Sequence, residues 1–131
     1  MRGRTRYVLL LCLLACSGCG QKSTTELLAD LKGTQARDKT IAVRLLPQHK
    51  GDAAQVVPAL IEALKDQDVG VRQDAAIGLG AFGEQAKDAI PALQTALRDR
   101  DVRVRNAARV ALSRIDPTLA TKSGTSKTAG K

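Results

Sequence analysis

The residue types able to do covalent or acid–base chemistry are few and poorly placed for it. The three cysteines, Cys12, Cys16 and Cys19, all precede residue 20, so no disulfide, thiolate metal site or thiol nucleophile falls in the rest of the chain. The single histidine, His49, sits in the loop Pro47-Gln48-His49-Lys50-Gly51 with only Asp52 beside it, too few donors to hold a metal. Ser17, Ser23, Ser113, Ser123 and Ser126 have no histidine or carboxylate spaced to activate a hydroxyl. Gly78-Leu79-Gly80-Ala81-Phe82-Gly83 is one residue short of a dinucleotide-binding spacing and follows a helical pattern, not a strand, which reads as close helix packing and a helix end. Neither catalysis, nor a metal, nor a cofactor is expected. Recognition chemistry remains. Arg98, Arg100, Arg103, Arg105 and Arg109, with Arg114 beyond, crowd one stretch, and guanidinium groups offer paired planar donors to carboxylates or phosphates. They read either as an anionic docking edge or as a solvated cap whose charges are taken by Asp99, Asp101 and a helix carboxyl end.

The 131 residues hold one small domain. Its net charge of +8 is unevenly spread: Arg2, Arg4 and Arg6 open the chain, Lys122, Lys127 and Lys131 close it, and the part between carries only +2. Phe82 is the only aromatic residue of that part, so base-stacking platforms are missing and nucleic acid is not expected as a partner. The basic start, the uncharged run Tyr7 to Leu14 and the small residues Ala15 to Gly20 have the layout of an export signal, and the run is too short to span a bilayer. Leu13-Leu14-Ala15-Cys16 resembles the bacterial lipoprotein signal, which implies lipid attachment at Cys16, with Cys19 after Gly18 as the alternative. The implied address is the cell envelope, lipid-anchored to a membrane on the exported side. The expected layout is signal and lipidation segment 1–19, spacer 20–24, folded domain 25–117 and a disordered basic tail 118–131 of Thr, Ser, Ala, Gly and Lys.

Sliding the chain by 33 positions gives 12 identities over residues 58–82, among them Pro58-Ala59-Leu60 on Pro91-Ala92-Leu93, Asp66 on Asp99, Asp68-Val69 on Asp101-Val102 and Val71-Arg72 on Val104-Arg105. Backwards, Leu27 meets Leu60, Leu31 meets Leu64, Ala42 meets Ala75 and Leu46 meets Leu79, a degenerate first repeat. A fixed period of this length marks stacked units that each need a neighbour to cover an apolar face. Val57, Leu60, Ile61 and Leu64, then Ala75, Leu79 and Phe82, keep helical spacing, so each unit is two helices. Asp68 and Asp101 are placed to cap the second helices, and Pro58 and Pro91 belong near first turns or cause kinks. The units fall at about 25–52, 53–85 and 86–117.

Residues 58–72 and 91–105 resemble HEAT repeats of the short, phycobilisome-lyase-like subtype, while the expected Asp-x-x-Val-Arg turn is replaced in the first repeat by Thr34 to Lys39. The resemblance implies an all-α fold, a short right-handed α-α superhelix of about three helix pairs. It also implies first helices on the convex surface, second helices on the concave one, and a structural turn ladder of Asp66, Asp68, Arg72, Asp99, Asp101 and Arg105. The paired His-Glu motifs of iron-binding HEAT-type enzymes are absent. A protein or peptide partner is expected on the concave surface, at Arg72, Arg103, Arg105, Asn106 and Arg109, with Arg44 and Gln73 nearby. A nucleic-acid binder using the Arg-rich last repeat and a lyase-like chaperone for a chromophore protein are the alternatives. The ends of so short a stack also leave room for a second copy.

Overall fold

The computed structural model describes residues 22–118. The lipidation candidates Cys16 and Cys19, and the tail beyond Thr118, lie outside the described residues. The chain folds into α1 (Thr24–Lys32), α2 (Ala36–Leu45), α3 (Ala53–Ala63), α4 (Val69–Phe82), α5 (Ile90–Ala96) and α6 (Val102–Ile115), with 3-10 stretches at Leu46–Gln48, Lys50–Asp52 and Gly83–Ala89. Among the described residues there is no strand.

The helix starts follow from the residues that precede them. Ser23 and Glu26 form a capping box on α1, each side chain accepting the other's backbone N–H. Asp68 accepts from the amides of Gly70 and Val71 at the start of α4, and Asp101 accepts from that of Arg103 at the start of α6, satisfying donors a helix leaves free. The first unit lacks this aspartate, and α2 starts after Gln35 with no side-chain cap. α4 stops at Gly83, whose φ of +55° favours a residue without a Cβ. The two equivalent prolines end up differently. Pro91 lies in the first turn of α5, with a 3-10 stretch before it, whereas Pro58 lies inside α3, which runs on upstream to Ala53.

The helices pair as α1/α2, α3/α4 and α5/α6. Equivalent positions fill one continuous core: Leu27, Leu60 and Leu93 are fully buried, as are Ala42, Ala75 and Ala108. Neighbouring second helices pack on one another far more extensively than neighbouring first helices do. The second helices α2, α4 and α6 therefore line the tighter, inner side of the stack, and α3 meets the third unit largely through Gly83–Ala89. Close approach of α4 to α6 depends on Gly80. A Cβ there would stand 2.9 Å from the Cα of Ala111 and 3.2 Å from its Cβ, and backbone cannot rotate away as a side chain would.

Gly80→Ala should therefore destabilise the fold by about 1 kcal/mol, because overpacking of about 2 kcal/mol against a backbone that cannot rotate away outweighs the roughly 1 kcal/mol gained in helix propensity. Urea unfolding checks it; a variant as stable as the parent would show that the helices are not in contact at this position.

Candidate functional site

The turn between the two helices of the second and of the third unit is built around a pair of aspartates and a base that follows them. In the second unit the Asp66 carboxylate accepts the amide of Asp68 at 2.9 Å, while in the third the Asp99 carboxylate accepts that of Asp101 at 2.9 Å. Arg72 Nη1 closes the turn from the helix side by donating to the carbonyls of Asp66 and Gln67 at 2.8 and 2.9 Å. Arg105 repeats the arrangement on the carbonyls of Asp99 and Arg100 at 2.8 and 3.1 Å.

The same base then reaches the next unit. Arg72 Nε and Nη2 donate to the two oxygens of Asp99 at 2.9 and 3.1 Å, a bidentate pair with side chains only 6% and 13% exposed. Lys39 Nζ meets Asp66 at 2.8 Å. Lys39 lies 33 positions before Arg72, so it supplies the first rung of a ladder in a repeat whose turn has lost its aspartates. Its own local sequence does not mark it, and the 33-residue offset is the only signal that does. Burial pushes the Asp66 carboxyl up, but the Lys39 ammonium and the Asp68 amide outweigh it and hold the group below the ordinary carboxylate range. For Asp99, burial is outweighed in the same way by the Arg72 guanidinium and the Asp101 amide.

Of the residues expected to bind a partner, Arg72 is thus corrected: it is 5% exposed and its guanidinium is spent inside the fold. The expectation placed it on the inner face because the sequence does not show which of several α4 faces the next unit covers. The others are exposed or half-buried but not gathered in one place. Arg103 and Asn106 line a groove of about 400 Å³ between α4 and α6, with Gln73, Ile77, Val110 and Arg114. Arg103 is held by Asp101 in a bidentate pair at 3.2 and 3.1 Å, and Arg109 donates to Asn106 Oδ1 at 3.0 Å. Arg105 belongs to the turn. Arg44, 67% exposed, pairs with Asp74 of the next unit at 2.6 Å.

The groove's apolar component went unread in the sequence. Ile77 and Val110 are 48% and 50% exposed, lie 33 positions apart, and each falls two residues before the buried leucines Leu79 and Leu112. That off-stripe spacing is the signal that places them on the open side. His49 is half-buried with no acid aimed at it, since Asp52 accepts the hydroxyl of Thr24 instead. Among the described residues no cluster of three His, Cys, Asp or Glu side chains is placed to hold a metal, and no helix is long and apolar enough to cross a membrane.

The ladder gives a pH signature. A carboxyl held below its unfolded value of about 3.9 contributes stability that is complete above that pH and is lost as pH falls through the folded value. Asp99→Asn should cost about 3 kcal/mol at pH 7, because it leaves the buried Arg72 guanidinium without its counter-charge and with one acceptor replaced by a donor. The gap should be smaller at pH 3, below the unfolded carboxyl's value of about 3.9, and should narrow further as pH falls through the folded value. Urea midpoints of both proteins at the two pH values check this; equal stability at pH 7 would remove the pair from the account.

Comparison with known proteins agrees with this architecture. No curated protein sequence is significantly similar to the chain. Among solved structures, a chain of the complex of CpcE and CpcF of phycocyanin lyase from Nostoc sp. PCC7120 is similar at 26% identity with a TM-score of 0.67. The match covers 85% of this chain and 45% of that one, so this chain spans about half the length of its structural relative. The likeness supports the all-α, right-handed α-α superhelix implied by the sequence resemblance. The HEAT repeats family matches residues 24–113, the span that holds both the ladder and the groove, and the chain belongs to the HEAT-repeat family.

Proposed function

We infer that the protein is a non-catalytic interaction module which holds a segment of a protein partner in the groove between α4 and α6. One observation carries this reading: an open trough of about 400 Å³ whose apolar lining includes Ile77 and Val110 and whose rim is polar and basic. Apolar anchors ringed by hydrogen-bonding groups are the arrangement that recognises a peptide segment. With Arg103 and Arg114 at the rim, the fitting segment carries one or two apolar side chains flanked by carboxylates. The likeness to a chain that works in a two-protein complex supports a protein partner. Membrane tethering through Cys16, or Cys19, is the second part of the proposal and is supported by the sequence Leu13-Leu14-Ala15-Cys16 alone. A lyase-like chaperone is the second reading, favoured by that same structural likeness.

An Ile77→Asp, Val110→Asp double variant tests the groove, because both side chains are exposed and folding should survive. Quantitative comparison of proteins retained from envelope extracts should show a partner held by the parent and lost by the variant. Identical retention would refute the groove, and a lost partner of the phycocyanin type would select the lyase-like reading. The tether has its own test. The intact mass of protein purified from membranes should begin at Cys16 or Cys19 and carry a diacylglycerol and an acyl chain, both absent in a Cys16→Ser, Cys19→Ser variant. An unmodified full-length mass would overturn it.

A further inference from the structure

Among the described residues the ladder has a rung with nothing on its far side. Each second helix sends one base to the first aspartate of the next unit's turn: Lys39 to Asp66, then Arg72 to Asp99. The third such base is Arg105. Its Nη1 holds the carbonyls of Asp99 and Arg100, as Arg72 Nη1 holds its own turn. Among the described residues its Nε and Nη2, the two donors that in Arg72 grip a carboxylate, have no acceptor. The fork is thus fixed in orientation by its own turn and unoccupied on the side where a fourth unit would stand.

The surface around it continues the internal interface. Where the second unit buries Val57 and Leu64, to 4% and 7% exposure, the third unit has Ile90 and Leu97, both half-buried. Val69 is half-buried, and its counterpart Val102 is 54% exposed. The end of the stack therefore shows an apolar group of three side chains beside a pre-set guanidinium, the combination that α3 and α4 use to receive α5 and α6. One position differs: the fully buried Ala76 corresponds to the exposed Arg109, which adds a second positive charge to the face.

We propose that this face docks a separate helix-pair protein whose first turn presents an aspartate to Arg105. The internal rung identifies the chemistry, since Arg72 shows which group the fork fits and in what geometry. A second copy of this chain fits less well in either orientation. Head to tail, the position that would face Arg105 is Gly33, 33 residues before Asp66. End to end, Arg98, Arg105 and Arg109 would meet their own copies. The segment after Thr118 contains no Asp or Glu, so it offers no side-chain carboxylate either.

The proposal is independent of the groove and goes beyond it in naming the class of partner. Its test uses the full chain in detergent and, as probe, a designed helix-pair array capped at its far end, with the Asp-x-Asp-Val turn in its first unit. Titration calorimetry should detect binding. Arg105→Ala, and separately Asp→Asn at the first turn aspartate of the probe, should each weaken it by about tenfold or more, and combining the two should add little. Arg105→Asp paired with Asp→Arg in the probe should restore it. The probe-side change leaves this chain untouched, so misfolding of the Arg105 variants cannot imitate the result. Absence of binding at probe concentrations on the order of 1 mM, or binding indifferent to both substitutions, overturns the proposal. Loss of probe binding on Ile77→Asp moves the contact to the groove and overturns it too. Self-association of the parent that disappears in Arg105→Ala assigns the face to a second copy and likewise ends it.

Discussion

The bidentate bond from Arg72 to Asp99 fixes how one helix pair sits on the next. Removing a guanidinium and a carboxylate from water is costly, and the cost is offset only when nearly every donor and lone pair finds a partner. Here Nε and Nη2 take the carboxylate and Nη1 takes two turn carbonyls, while the carboxylate also accepts the Asp101 amide. The placement of the third unit satisfies all of these groups together. The pair therefore sets the register of the stack, a geometric role that non-directional apolar burial does not perform. The Lys39–Asp66 rung does the same at the first junction with a point charge in place of a fork.

Once the register is fixed, small residues decide how near the inner helices come. Gly80 against Ala111 brings α4 and α6 into backbone contact. Only there is the junction of two helices closed at its base while side chains on either side stand up as walls. Ile77 and Val110 then face outward, because the buried stripe of each helix is already occupied by Ala75 and Leu79, or Ala108 and Leu112. The trough between α4 and α6 is a consequence of tight packing beneath it: a larger residue at position 80 would part the helices and flatten it.

How much of this could be read from the sequence depends on whether a property is local or belongs to the junction between units. The helices, the capping aspartates' positions and the leucine core follow from periodicity within a unit, and the 33-residue offset transfers them from unit to unit. Arg72 and Arg105 share the same local sequence, Val-x-Val-Arg after an aspartate, and yet one is sealed and the other open. The difference is made by a neighbour that one has and the other lacks among the described residues. Pro58 and Pro91 make the same point for the backbone, since the chain upstream of each, and not the proline, decides whether a helix or a 3-10 stretch precedes it. Lys39 is hard to read because it stands in place of an arginine on a helix whose preceding turn has lost its other marks.

The two readings of the arginine-rich last unit, docking edge and solvated cap, apply to different parts of the same face. Toward the inner side, Arg109 and Ser113 stand where Ala76 and Gly80 allow close helix packing, so a further helix could not approach α6 as closely as α6 approaches α4. That half behaves as a cap. Toward the turn, Ile90, Leu97, Val102 and Arg105 keep the residue types that receive a neighbour at the previous junction. The half-open aliphatic side chains, and a fork with two donors unengaged among the described residues, distinguish this half of the face from the charged half. The opposite end of the stack is finished differently, with a capping box at Ser23, Lys22 on Asp30 and Thr24 on Asp52 tying the first helix down.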